Sequence, residues 1–233
     1  KGDVYQVNLS TPFVFDSSAL APLELYRIMR AINPSPFMGL IEHDDWAIIS
    51  GSPERLFALY DERISARPIA GTKKRGARES EEQSIIEDLR QCPKENAEHA
   101  MLVDLMRNDL HKVALSTSVA VTEDRSVEFY SHVMHLVSEI VGETSASLKE
   151  VVQALFPSGT ITGAPKESVM ATIAALERET RGPYTGSLGY VSGWGQDFNI
   201  LIRTVLKAKD RMWYNSGAGI VIDSDPLKEW EEI

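Results

Sequence analysis

Two carboxylate couplets are the sharpest chemical feature of this chain. Glu95 and Glu98 lie in Pro93-Lys94-Glu95-Asn96-Ala97-Glu98-His99, and Glu229 and Glu232 lie near the C-terminus. Each couplet has i,i+3 spacing, so on a helix both carboxylates share one face, and two such faces would form a hard-oxygen site fit for Mg²⁺. Taken alone, a glutamate pair on a helix more often marks a solvated face, because Glu is rarely buried without a partner. Other residues add weight. Arg203, in Leu201-Ile202-Arg203-Thr204-Val205, reads as a guanidinium inside an apolar strand, which needs either a structural ion pair or the carboxylate of a bound acid. His135, in Val133-Met134-His135-Leu136-Val137, is either a satisfied core histidine or a pocket donor and proton carrier. Glu54, in Ser52-Pro53-Glu54-Arg55, is either an exposed turn carboxylate or a general acid, and Asp104 and Asp109 beside Arg107 read as structural ion pairs.

Three segments are rich in residues that let a ligand approach backbone. Arg67-Pro68-Ile69-Ala70-Gly71-Thr72 combines a glycine with a hydroxyl, although a tight turn after an edge strand would use the same residues. Pro157-Ser158-Gly159-Thr160-Ile161-Thr162-Gly163-Ala164-Pro165-Lys166 reads as a loop running into a helix start, where amides and hydroxyls suit an anion. It lacks the residue order of a phosphate-binding P-loop. Ser216-Gly217-Ala218-Gly219 reads as a third small-residue loop open to a ligand.

The elements that must position these groups follow from periodicity. Strand patterns run from Val4 to Ser10, then through Phe37–Glu42, Trp46–Ser50, Arg55–Tyr60 and Arg63–Pro68, which together predict an antiparallel meander. Helical periodicity covers Ala19–Ile32, Glu79–Gln91, Pro93–Arg107, Ser147–Phe156 and Lys166–Glu177. Gly71–Arg78 is a loop by composition. Val119–Tyr130, Met134–Val141, Thr185–Val191, Phe198–Lys207, Arg211–Ser216 and Gly219–Ile222 complete the strands. Runs of strands separated by helix pairs, without regular β-α alternation, predict an α+β fold of large, mostly antiparallel sheets packed with helices, read as one domain over residues 1–233.

Composition bounds the function. The chain has 233 residues, 43% hydrophobic and 25% charged, and a formal charge of −10, an ordinary globular balance with room for a large core. The acidic charge and the lack of a basic run with interleaved aromatics argue against nucleic acid as a partner. No apolar run approaches the roughly 18 residues of a membrane span, the single Cys92 excludes an internal disulfide, and no Cys/His cluster has zinc spacing, so the cytoplasm is the expected compartment. Asn8-Leu9-Ser10 fits a glycosylation sequon, read as chance. The abrupt start and the final helix pattern without a stop signal suggest a piece of a longer chain.

Read in order, Gly2-Asp3-Val4-Tyr5-Gln6-Val7-Asn8-Leu9, Ser52-Pro53-Glu54-Arg55, Arg67-Pro68-Ile69-Ala70-Gly71-Thr72, Met101-Leu102-Val103-Asp104-Leu105-Met106-Arg107-Asn108-Asp109, Gly159-Thr160-Ile161-Thr162-Gly163-Ala164-Pro165-Lys166 and Gly217-Ala218-Gly219-Ile220-Val221 strongly resemble the chorismate-utilising enzymes. That family includes component I of anthranilate synthase, component I of aminodeoxychorismate synthase, and the isochorismate and salicylate synthases. The resemblance covers essentially the whole chain.

The resemblance implies a Mg²⁺ that links one chorismate carboxylate to Glu98 and Glu232, with Glu95 and Glu229 supporting through water. It implies that Tyr184 and Arg203, with amides near Gly217, Ala218 and Gly219, grip the other carboxylate. His135 and Thr160 would face the ring and its leaving hydroxyl, and Glu54 would be the general acid. Gln6 stands where water-using relatives place a lysine base, and Thr72 matches ammonia-using members. Both imply ammonia delivered by a partner glutamine amidotransferase, since no nucleophilic-cysteine motif occurs here. Four segments look like the aminodeoxychorismate branch of folate biosynthesis, whereas Ala70 stands where many of its members carry a nucleophilic lysine and matches the anthranilate branch. A catalytically silent chorismate-binding fragment is the alternative of another class. The resemblance further implies that an N-terminal part of the parent, and a last helix bearing a substrate-contacting lysine, lie outside this chain.

Overall fold

The structure, a computed structural model, describes residues 2–16, 20–76 and 78–233, without the side chains of Glu79, Lys94 and Glu232. In chain order the elements are β1 (Gln6–Asp16), α1 (Pro22–Ile32), β2 (Gly39–Glu42), β3 (Trp46–Ser50), β4 (Arg55–Tyr60), β5 (Arg63–Arg67), β6 (Ile69–Lys74), α2 (Glu79–Gln91), α3 (Pro93–His111), β7 (Ala120–Phe129) and β8 (Val133–Glu143). They continue with α4 (Leu148–Leu155), α5 (Gly159–Thr162), β9 (Gly163–Ala164), α6 (Lys166–Leu176), β10 (Gly189–Ser192), β11 (Gly195–Asn199), β12 (Thr204–Ala208), β13 (Arg211–Ile220) and α7 (Pro226–Glu232). The chain forms two compact units: unit 1 holds residues 1–53, 157–188 and 200–233, and unit 2 holds residues 54–156 and 189–199. The α+β reading with antiparallel sheets holds.

Unit 1 is built on a six-stranded sheet in the order β2-β3-β12-β13-β1-β9. Its spine is the long antiparallel pairing of β1 with β13, from Val7↔Ile220 to Asp16↔Arg211. The apolar side of α6 supplies Val169 and Ile173, which bury Val7 with Leu9 and Ile220 packed around them. Beyond Val7 the pairing of β1 with β9 ends, so one edge of β1 would be open. A clamp closes it: Glu177 Oε1 accepts the Ser10 backbone N–H at 2.9 Å, and Arg181 Nη2 donates to the Asn8 carbonyl at 2.6 Å. The two side chains pair at 2.6 Å and are only 10% and 12% exposed, so charge covers a strand edge that would otherwise invite pairing with another chain. Gly163 is indispensable to the short β9 strand, because its φ of +120° suits glycine and a Cβ there would collide with the Gln6 carbonyl.

Unit 2 is a seven-stranded sheet in the order β10-β11-β4-β5-β8-β6, with β7 also on β8. The buried stripe of α3, His99, Leu102, Val103, Met106 and Leu110, recurs at three- and four-residue steps and packs the helix against the sheet. Ser147 starts α4 with a full capping box, accepting from the Glu150 N–H while Glu150 accepts from the Ser147 N–H at 2.8 Å.

The structure corrects several sequence expectations. The predicted meander is two hairpins in different sheets, β2-β3 and β4-β5, because the chain leaves unit 1 at Pro53. The first half of the predicted Gly71–Arg78 loop is strand β6, whose lysines are exposed on a sheet edge. Ser216–Gly219 is not a loop but part of β13, and residues 159–162 form one helical turn. Phe198–Lys207 is not one strand; it spans the end of β11, a bend and most of β12. Ala19, the expected start of the first helix, lies outside the described residues.

Candidate functional site

In unit 1 Gln6, Gly217, Gly219 and Tyr184 gather about one face of the β1–β13 ribbon. Antiparallel register places Asn8 opposite Gly219 and Ser10 opposite Gly217, so these positions and Gln6 project to the same side. Glycine at 217 is a steric requirement: a Cβ there would lie 2.7 Å from both Asn8 Oδ1 and the Leu9 carbonyl, and 3.0 Å from the Tyr184 hydroxyl. Ala218, between the two glycines, pairs with Leu9 on the opposite, buried face, so what it can offer a ligand is backbone.

Tyr184 is 8% exposed, and burial pushes its phenol up to about 12, so it remains a neutral donor at neutral pH. The Arg181 guanidinium stands 5.7 Å from the centre of its ring, a cation–π contact that fixes the ring plane. The next residue, Thr185, has φ +61°, and its N–H is anchored on the Leu201 carbonyl at 2.9 Å. Arg203 lies not in a strand but in the bend before β12, at φ +50°, with its carbonyl accepting the Gly51 N–H at 2.9 Å. Two non-glycine residues in the left-handed region cost about 1–3 kcal/mol each, and such strain concentrates at functional sites. The Arg203 guanidinium is half-buried and has no carboxylate partner among the described residues. On this same face Pro12, Arg181, Tyr184, Thr204, Trp213 and Asn215 line a cleft of about 380 Å³. Thr160, on α5, shares a hydrogen bond with the Ser158 hydroxyl at 2.9 Å. Glu229 lies on α7, whose first turn is fixed by Asp225 Oδ1 accepting the Leu227 N–H at 2.9 Å; the Glu232 side chain is outside the described part.

Unit 2 holds the titratable candidates. Gly71, at φ +71°, sits where the β6–β8 register slips between Ala70 and Thr72, a bulge that only glycine tolerates at low cost. The bulge sets Thr72 opposite His135, with Thr72 Oγ1 at 2.8 Å from His135 Nδ1. The His135 ring is 2% exposed and meets the edge of Tyr130 at 5.2 Å. At Gly71 a Cβ would stand 3.0 Å from Glu95 Oε2, so the α3 carboxylate lies beside the bulge that precedes Thr72. Ala70 is buried to 7% and contributes a methyl group. Glu54 is buried to 5% just before β4, which removes the exposed-turn reading.

Glu98 is half-buried one turn after Glu95. The adjacent His99 is 1% exposed, shares a hydrogen bond with Ser138 Oγ at 2.7 Å, and is pushed below the ordinary imidazole range by burial. Among the described residues no three His, Cys, Asp or Glu side chains converge as a metal cage. Glu95 and Glu98 supply carboxylate oxygens, the donor type that a hard cation takes. Asp104 pairs with Arg107 at 3.1 Å as expected, whereas Asp109 pairs with Lys112 at 2.6 Å. The sequence reading passed over Asn8, Ser10, Glu177 and Arg181. Two signals were available: Asn8 shares strand parity with Gln6, and Glu177-x₃-Arg181 has i,i+4 spacing.

A family model described as chorismate binding enzyme matches residues 1–233, and the chain belongs to that family. It is 48% identical to anthranilate synthase component 1 of Aquifex aeolicus over 100% of this chain and 47% of the relative. It is 46% identical to aminodeoxychorismate synthase component 1 of Bacillus subtilis over 99% of this chain and 50% of the relative. The chain thus spans about half the length of these curated relatives. Anthranilate synthase component I of Streptococcus pneumoniae superposes with a TM-score of 0.91 at 37% identity, over 99% of this chain and 52% of that one. The menaquinone-specific isochorismate synthase of Escherichia coli superposes with a TM-score of 0.92 at 25% identity, over 100% of this chain and 54% of that one.

Proposed function

We propose that residues 1–233 act as one catalytic domain that aminates chorismate to 4-amino-4-deoxychorismate, a step of folate biosynthesis. The ammonia comes from a partner glutamine amidotransferase, and the protein works in the cytoplasm. The observation that carries this reading is the Thr72–His135 hydrogen bond at 2.8 Å beside a glycine bulge faced by Glu95. It supports a hydroxyl-oriented imidazole next to a bulge whose glycine is approached by the Glu95 carboxylate. Gln6, which cannot act as the amine base of water-using relatives, supports ammonia as the nucleophile.

In this reading Arg203, Tyr184 and the amides about Gly217 and Gly219 bind one carboxylate of the substrate, and an acidic protein needs such a local concentration of donors to hold a dianion. Glu95, Glu98, Glu229 and Glu232 are the residues that would hold Mg²⁺. When bound, the metal supplies Lewis-acid stabilisation of negative charge on the substrate. Buried Glu54 gives its proton to the departing C4 hydroxyl, which leaves as water while the C–N bond forms, and the ammonium so produced loses a proton to solvent. His135, oriented by Thr72, and Thr160 face the ring and the leaving group.

Anthranilate formation is the second reading. Ala70 favours it, because a methyl group cannot attack the ring as a lysine amine could, and so does the likeness to the Aquifex relative. Incubation with chorismate, Mg²⁺ and ammonium separates the two. The expected product is 4-amino-4-deoxychorismate without pyruvate, whereas stoichiometric pyruvate with anthranilate fluorescence transfers the assignment. Absence of saturable Mg²⁺-dependent chorismate binding would leave a silent fragment.

A further inference from the structure

We propose that Asn8 is a substrate-binding residue whose side-chain amide contacts the ligand carboxylate seated at the Gly217 cradle. The inference rests on the chorismate reading above and adds a residue to it. Asn8 Oδ1 is buried and lacks a hydrogen-bond partner among the described residues. It lies 2.7 Å from the point where a Gly217 Cβ would stand, with the Tyr184 hydroxyl 3.0 Å from the same point. A buried amide oxygen without a donor costs stability, and a glycine that admits such a group beside a second polar group marks a place prepared for something other than protein.

The chemistry of the surroundings selects the ligand. The Tyr184 phenol at the Gly217 cradle is a donor held protonated by burial, and unit 1 also carries the half-buried Arg203 guanidinium, which has no carboxylate partner among the described residues. Groups of this kind call for an anionic oxygen. A half-turn of the Asn8 carboxamide exchanges its oxygen for its nitrogen within nearly the same volume, so Nδ2 turns toward the carboxylate and donates. The backbone of Asn8 does not follow, because its carbonyl is held by Arg181 Nη2 at 2.6 Å and the residue is in register with Gly219.

Calorimetric titration of chorismate in Mg²⁺ buffer, with thermal melting in parallel, tests the assignment on Asn8→Val and Asn8→Asp. Asn8→Val removes an unsatisfied buried oxygen and suits a strand, so it should melt at the same temperature or higher while binding chorismate about tenfold more weakly, the worth of one hydrogen bond to a charged group. Asn8→Asp nearly preserves shape but sets a carboxylate against a carboxylate, so binding should weaken further at pH 8 and partly recover at pH 5.5 as the new acid protonates. Wild-type binding with both variants within twofold of it would overturn the role of Asn8 and leave the chorismate reading intact. Failure of the wild-type chain to bind would overturn the reading and the inference together. A lower melting temperature for Asn8→Val with unchanged affinity would make Asn8 a structural residue.

Discussion

The two units carry different kinds of candidate residue. Unit 1 offers glycine-opened backbone, a guanidinium, a phenol and an amide on a strand ribbon, groups that change no protonation state near neutral pH. Unit 2 offers carboxylates and imidazoles on a helix and a bulged sheet, groups of the kind that can hold a metal or pass a proton. On the proposed function, recognition of an anion falls to rigid sheet geometry, and chemistry to side chains whose charge depends on their surroundings. The contrast predicts that damage to unit 2 lowers turnover, while damage to unit 1 lowers affinity or the integrity of the sheet.

The largest effect is expected at Glu98. Glu98→Gln keeps size and hydrogen bonding but removes the negative charge that a hard cation requires, so Mg²⁺-dependent turnover should fall to background while the melting temperature holds. Steady-state assays across a Mg²⁺ series give the answer, and a variant with normal activity would remove α3 from the metal site and blur the distinction between the units.

Next in size is the clamp on β1. Glu177→Gln leaves the Arg181 charge buried without its counter-charge, which should cost about 3 kcal/mol, read as a lower urea midpoint. The wild-type chain should show the matching pH dependence. Burial pushes Glu177 up, but its hydrogen bonds to Arg181 and Ser10 and the guanidinium charge outweigh burial and hold it below the ordinary carboxylate range. A depressed folded value means the clamp contributes fully above the unfolded carboxylate value, and that contribution is lost as pH falls through the lower folded one. Exchange of the Ser10 amide should accelerate over that acid interval, and a flat profile would show that the edge is held by something else.

Arg203→Leu should raise the Michaelis constant for chorismate on the order of 100-fold, the usual consequence of losing one partner of a desolvated charge pair, with a smaller change in turnover number. A loss confined to turnover would move Arg203 from recognition to chemistry.

These comparisons also mark what the sequence could reveal. Helices α2 and α3 were readable because periodicity is local, and β3 and β4 because short alternating runs sit between turn residues. The pairing of those strands was not readable, since hydrogen-bond partners are chosen by the whole fold; the run through Pro53 looks continuous yet joins two sheets. Composition misled at β6, where a glycine and a basic run imitate a loop. Gly71 is instead a bulge within the strand, and the lysines protect an exposed edge. It misled again at Ser216–Gly219, whose small side chains make room for neighbours inside a paired strand. Asn8 had only its strand parity with Gln6 as a signal, because an asparagine in an alternating strand is unremarkable until its neighbours are known.

The smallest expected effect is the most diagnostic for unit 2. Thr72→Val removes the hydroxyl bonded to His135 Nδ1 at 2.8 Å and changes little else in shape, at an exposed strand position that a β-branched residue suits. If Thr72 orients the imidazole, the loss of one hydrogen bond should lower the turnover number by about tenfold and leave the Michaelis constant nearly unchanged. The pH–rate profile should also move, because the hydroxyl no longer biases which ring nitrogen carries the proton. Thr72→Ser, which keeps the hydroxyl, should restore both the rate and the profile. A lower rate in both variants would mean that the threonine methyl shapes the site. An unchanged rate in Thr72→Val would mean that His135 is positioned by Tyr130 and the strand alone, and the chemistry assigned to unit 2 would then rest on its carboxylates.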